Sequence, residues 1–302
     1  MNYYLFIAIF ILSSYEAAAA TSPLIVGGQS VGASDPIAAA TVGIFSPSPD
    51  GHSGSLCTGT LIGEKTAVTA AHCLEDGSPT QKPVMIFGSD LHAPNPIRRP
   101  ITASIINPKY ENHAGRGMDQ GDIAIVRIGG TLPEGYHPMP MAKTDNEISS
   151  GEKVTLAGYG ISNAARKSGA GRLRKTNVEV LNNRAGKSEM ILDQSHGHGA
   201  CHGDSGGPAF IRENGRIEVA GVTNRSYPNS APDDCRHQVV YTKIPAYKKW
   251  IATNSRRLAR QDNRVSPSLT PQFKTLKYRM SRHGLANGRA IGHRRRYSER
   301  TG

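Results

Sequence analysis

The chain has 302 residues, 37% of them hydrophobic and 6% aromatic, with 33 Gly and 19 Pro. That length buries one large core or two smaller ones, and this much Gly and Pro suits a turn-rich β protein. The net charge of +12 does not make the body a polyanion binder: residues 256–302 hold thirteen Lys or Arg against two acids, so the excess belongs to the last stretch.

In chain order, the first feature is an unbroken apolar run, Leu5–Leu12, followed by the small residues Ala17–Ala20. The run is too short to span a bilayer and reads as a secretory signal over residues 1–20, although no Lys or Arg precedes it. Short β-prone segments follow at Thr41–Phe45, Gly59–Ile62, Ala67–Ala70, Val84–Phe87, Ile101–Ile106 and Ile123–Ile128. A second series comes at Lys153–Gly158, Leu173–Leu181, Met190–Asp193, Pro208–Ile211, Ile217–Val222 and Val239–Ile244. Clusters of Pro, Gly, Asn and Asp punctuate both. Many short strands at near-regular spacing predict an all-β barrel or sandwich architecture. One helix is expected, from Pro245 to about Arg260, with Pro245 in its first turn. Residues 261–302 carry Ser, Pro, Gly, Asn and Arg without sustained periodicity and predict a disordered basic tail. Export favours disulfides, and the four cysteines allow three pairings.

Three short stretches carry chemistry. Ala200–Pro208 reads A-C-H-G-D-S-G-G-P and places Ser205 in a glycine-rich turn. A serine is a weak nucleophile until a base takes its proton and an acid orients that base. His72 lies in T-A-V-T-A-A-H-C and Asp122 in G-D-I-A-I-V-R-I. Taken singly, each reads as an ordinary structural residue: a buried histidine and a turn aspartate.

Taken together with I-V-G-G at Ile25–Gly28, C-T-G-T-L-I at Cys57–Ile62 and V-Y-T-K-I at Val240–Ile244, they resemble the trypsin/chymotrypsin-like serine proteases, in that family's order and over residues 25–254. The resemblance implies two antiparallel Greek-key β-barrels, about 25–145 and 146–245, closed by the C-terminal helix. It implies a serine endopeptidase that needs no cofactor. Ser205 is then the nucleophile, His72 the base and Asp122 its orienting acid, with the N–H groups of Gly203 and Ser205 as the oxyanion hole. It also implies a zymogen, in which cleavage before Ile25 frees an amine that pairs with Asp204, and the disulfides Cys57–Cys73 and Cys201–Cys235. Protein or peptide substrates, an activating protease and a monomeric, secreted enzyme complete the expectation, with the periplasm in place of the extracellular space if the source is bacterial.

The chain also departs from the family. Leu24, not Arg or Lys, precedes I-V-G-G, so the Thr21–Leu24 segment is not a tryptic activation site. Six residues before the nucleophile, where trypsins carry the aspartate of the specificity pocket, stand Gly199 and then Ala200. Ser226 and Val239 replace the two wall glycines, which resembles the elastase pattern and predicts small apolar residues before the scissile bond. A rival reading has Arg225, His202 and His237 favour an acidic residue there. The loop Tyr227–Asp234, with Asp233 and Asp234, looks long for the family. His196, His198, Cys201 and His202 lack a second ligand pair and are not taken as a metal site, and Asp90 stands without clustered acids for calcium. Two other functions compete: a non-catalytic homologue acting as a binding module, and a protein that binds anionic surfaces through Arg294–Arg296 and the rest of the tail. No specific nucleic-acid partner is predicted.

Overall fold

A computed structural model describes residues 25–48, 50, 53–75, 82–111, 117–145, 148–228 and 235–262. The segments read above as a leader (1–20), an activation segment (21–24) and a basic tail (here beyond 262), together with Asp233 and Asp234, lie outside the described residues.

Six strands close the first barrel: β2 (Thr41–Pro47), β3 (Gly54–Gly63), β4 (Thr66–Thr69), β5 (Val84–Phe87), β6 (Ile97–Ile106) and β7 (Ala124–Ile128), in the order β2-β3-β4-β7-β6-β5. All neighbours run antiparallel. The barrel closes because β2 pairs both with β3, Ile44 opposite Cys57, and with β5, Ile44 opposite Met85. Strands β4 and β7 are buried along their whole length. That explains why T-A-V-T and A-I-V-R-I lack the polar alternation of a half-exposed strand. Val42, Ile44, Leu61, Val68, Met85 and Val126 form the centre of this core.

The second barrel is β8 (Lys153–Gly158), β9 (Arg174–Asn182), β10 (Glu189–Asp193), β11 (Pro208–Glu213), β12 (Arg216–Tyr227) and β13 (Gln238–Lys243). Its order is β9-β10-β13-β12-β11-β8, closed by pairing of β8 with β9, and β1 (Gln29–Ser30) adds to β9. Val154, Leu156, Val180, Leu192, Ala209, Ala220 and Tyr241 fill it. The helix α1 (Ile244–Asp262) leaves β13 directly and packs back against β6, β7 and β12. Ile244, Ile251 and Leu258 recur every seven residues on its buried face.

The strands expected at Val84–Phe87 and Lys153–Gly158 form over those residues. Others run longer. β12 continues past Val222 to Tyr227, with a register shift between Thr223 and Arg225 that makes Asn224 an extra, bulged residue. β6 begins at Ile97, four residues early, because Ile97–Pro100 pair with β5. The short β1 had no sequence signal.

Candidate active site

The glycines around Ser205 are demanded by the seam between the barrels. The carbonyl of Ser205 accepts a hydrogen bond from the Thr58 N–H on β3 at 2.8 Å. Gly206 donates its N–H to Thr223 on β12, and Thr223 donates back to Gly207. A side chain at Gly206 would lie 2.5 Å from the Thr58 carbonyl oxygen and run into Thr69. Gly203 holds φ +95°, a region that disfavours other residues. The Thr58 hydroxyl locks the turn further: it donates to the Gly203 carbonyl at 2.8 Å and accepts from the Tyr159 N–H at 3.1 Å.

His72 opens a 3-10 turn (His72–Leu74) that follows β4 after Ala70 and Ala71, and Cys57–Cys73 staples this turn to β3. Asp122 stands two residues before β7 and is 1% exposed. One carboxylate oxygen accepts the His72 backbone N–H at 3.0 Å; the other lies 2.7 Å from Nδ1 of the ring. The carboxylate makes Nδ1 the donor and leaves the lone pair on Nε2, the tautomer a general base needs. Ser205 lies across this turn, with its carbonyl oxygen 3.6 Å from Sγ of Cys73, the neighbour of His72. Behind Asp122, the Thr242 hydroxyl on β13 donates to its backbone carbonyl at 3.0 Å.

Asp204 is wholly inside the protein. Its oxygens accept the N–H groups of Gly160 at 2.8 Å and Cys201 at 2.9 Å. Burial nevertheless pushes its carboxyl up to about 6, and the nearby Arg174 and His202 only partly offset this. Arg174, on β9, is 2% exposed and donates to the carbonyls of Gly160, Gly169 and Arg172, while its Nε has no partner among the described residues. Ile25 is also buried, and Val26 bridges Gly199, whose N–H it accepts at 2.8 Å.

The predicted pocket residues gather on the second barrel. Val239 and Ala200 share one buried apolar cluster. Ser226 lies opposite Val239 in the β12–β13 register and is exposed. Cys201–Cys235 joins the two loops beside them. Arg225 is not available for an acidic substrate residue: its guanidinium takes both oxygens of the buried Glu189 at 2.9 Å. His202 and His237 lie at or near the surface. His196 pairs with Asp193 at 3.3 Å. Among the described residues, the two side-chain groups compact enough for a metal each consist of one disulfide and one histidine, so their sulfurs are not thiolate ligands.

Sequence reasoning missed the buried supports, namely Gln194, Glu189 and Arg174. They are single polar residues without motif spacing. Arg174 lies in L-R-K-T-N-V-E-V-L beside a second cation, Lys175, and nothing in that run marks it as the buried one.

The trypsin family model matches residues 25–251. Serine protease SP24D of Anopheles gambiae is 27% identical over 213 residues, 67% of this chain and 72% of its own. Granzyme M of Rattus norvegicus is 28% identical over 217 residues, 65% of this chain and 78% of its own. The fold matches mouse neuropsin, a serine protease, with TM-score 0.60 and 23% identity over 76% of this chain and 98% of neuropsin. With two closed six-stranded barrels, a terminal helix and a family match over most of its length, the chain belongs to the trypsin family and is a serine-type endopeptidase.

Proposed function

We propose that the protein is exported as a silent precursor and, once cut before Ile25, hydrolyses peptide bonds through Ser205, His72 and Asp122. The observation that carries this reading is the double grip of Asp122 on the backbone N–H and Nδ1 of His72, with Ser205 across the turn. Ser205 Oγ attacks the scissile carbonyl while Nε2 of His72 takes its proton. The resulting oxyanion is held by the N–H groups of Gly203 and Ser205. His72 then gives the proton to the leaving amine, which departs and leaves an acyl-enzyme on Ser205. Water, deprotonated by the same histidine, releases the second product and restores the serine.

Activation rests on Asp204. A free α-amine at Ile25 supplies the charge that this buried carboxylate lacks, and so fixes the Gly203 turn beside it. Ile25 holds φ +54° in the uncut chain, a torsion that strains a β-branched residue by about 1–3 kcal/mol. That torsion is defined by the Leu24 carbonyl, so cutting the Leu24–Ile25 bond removes it. The pocket supports a preference for small apolar residues before the scissile bond: Val239 is buried where a glycine would leave depth, and no carboxylate stands at Gly199. The apolar run at Leu5–Leu12 and the two disulfides support export. Residues 21–24 are read as the activation segment and 261–302 as an appendage to the catalytic unit.

A fluorophosphonate probe tests the reading on protein whose N-terminus is Ile25. The wild type should label and cleave peptides with Ala or Val before the scissile bond, and Ser205→Ala should do neither. Failure of correctly processed wild type to label favours the binding-module alternative, and cleavage after Lys or Arg overturns the pocket reading.

A further inference from the structure

Gln194 directly follows β10, whose Leu192 lies opposite Val239. It is 2% exposed, an unusual place for a long polar side chain. Every part of its amide is used. Oε1 accepts the Ala200 N–H at 2.6 Å, and Nε2 donates to the carbonyls of Ala200 at 3.2 Å and Cys235 at 3.4 Å. These bonds tie both loops of the Cys201–Cys235 disulfide to the end of β10. The body of the side chain fills the space in front of Gly199. A Cβ built on Gly199 would lie 2.5 Å from Cγ of Gln194, with Cδ and Oε1 closer still.

We propose that Gln194 is the floor of the substrate pocket, a specificity-determining residue that sets its depth and keeps it neutral. The inference rests on the reading of Gly199, Ser226 and Val239 as the pocket. In that pocket the place a residue-199 side chain would occupy is taken by the methylenes and carboxamide of Gln194. The amide carries no charge, and both its N–H donors and its oxygen already engage backbone, so it offers a Lys or Arg no counter-charge. Ser226 stands exposed above, Val239 narrows the wall, and Gln194 closes the bottom. The chemistry this fits is an uncharged side chain of one to three carbons. It also explains why residue 199 is glycine: any side chain there meets Gln194.

Two measurements test the floor separately from the catalysis. The first is thermal unfolding in a cycle of Gly199→Ala, Gln194→Ala and the double variant. If Gln194 fills that space, Gly199→Ala lowers Tm in the wild-type background and lowers it far less once Gln194 is alanine. Equal shifts in both backgrounds overturn the proposal, whether or not the enzyme is active. The second is the ratio of kcat/KM for peptides with Leu against Ala before the scissile bond, read on processed enzyme that still labels with fluorophosphonate. Gln194→Ala should raise that ratio at least tenfold, the lower end of what a few methylenes of pocket space confer. Gln194→Ser should raise it less, and serves if the alanine variant does not fold. A labelled variant with an unchanged ratio overturns the role of Gln194, while a wild type that cleaves after large or basic residues overturns the pocket reading beneath it.

Discussion

The two sides of the seam between the barrels are held by different forces. On the first barrel, His72 and Asp122 are fixed by directed polar contacts of 2.7 and 3.0 Å, and one carboxylate does both jobs. On the second, the proposed pocket is set mainly by volume: Val239 and Ala200 pack in an apolar cluster, and Gln194, tied by hydrogen bonds to Ala200 and Cys235, occupies the room in front of Gly199. Polar contacts fix which atom can accept a proton. Packing fixes only how much room remains, which many combinations of residues achieve equally well. The first side therefore depends on residue identity, and the second tolerates the changes this chain carries.

The largest expected effect breaks the first side alone. Asp122→Asn keeps an acceptor for the His72 N–H but turns an NH₂ toward Nδ1, so the proton moves to Nε2 and the base is lost. For the same substitution in chymotrypsin-like triads kcat falls about 10⁴-fold, and we expect a loss of that order with Tm nearly unchanged. Steady-state kinetics with calorimetry checks both. A fall in activity that tracks a fall in Tm would mean that Asp122 acts as a packing element instead.

This contrast governs what the sequence alone disclosed. The strands at Val84–Phe87 and Lys153–Gly158 are short apolar or alternating runs between turn residues, and they are legible as such. The far half of β12 is not. Thr223–Ser226 are polar residues without alternation, yet Thr223 and Asn224 are buried, because the Asn224 amide bonds Glu189 and Thr242. His72, Asp122 and Ser205 could be proposed as a triad from the sequence because each sits in a local motif and the motifs come in order. Gln194 was not legible: D-Q-S-H-G reads as a loop, and its partners lie 6 and 41 residues away. The pairing of Arg225, raised only as a rival reading, was hidden for the same reason, since its partner Glu189 lies 36 residues upstream.

Glu189 sharpens the comparison because it touches both sides. Its side chain is fully buried, and its oxygens accept Arg225 twice, Asn224 from the bulge of β12, and the N–H of Gln120, two residues before Asp122. Glu189→Gln leaves the Arg225 guanidinium nearly buried without a counter-charge, which costs about 3–5 kcal/mol. At this size that lowers Tm by roughly 10 °C. Because the network is polar but supports β12, the strand proposed to face the substrate, KM should rise as well. Melting curves and a KM series on the same preparation decide it. A Tm within 2–3 °C of wild type, ~1 kcal/mol, would mean that solvent reaches the pair.

The smallest of the three effects concerns Asp204, the proposed partner of the Ile25 amine. In the uncut protein its carboxyl is pushed up to about 6 from 3.8 by burial. The folded chain thus binds this proton more tightly than the unfolded chain. Stability contributed by the protonated group is full below pH ~4, declines as pH rises to about 6, and is flat above. The shift is worth about 3 kcal/mol between the two plateaus. Denaturant unfolding of the precursor from pH 4 to 7 should therefore show a decline that Asp204→Asn lacks. That difference isolates Asp204 from Asp35, Asp119 and Asp193, whose lowered carboxyls titrate with the opposite sign at lower pH. Once the Leu24–Ile25 bond is cut, an ammonium beside Asp204 favours the carboxylate, and the decline should shrink or reverse. A decline of the same size before and after cleavage would mean that the new amine never reaches Asp204, and that the Gly203 turn is held by its contacts with Thr58 instead.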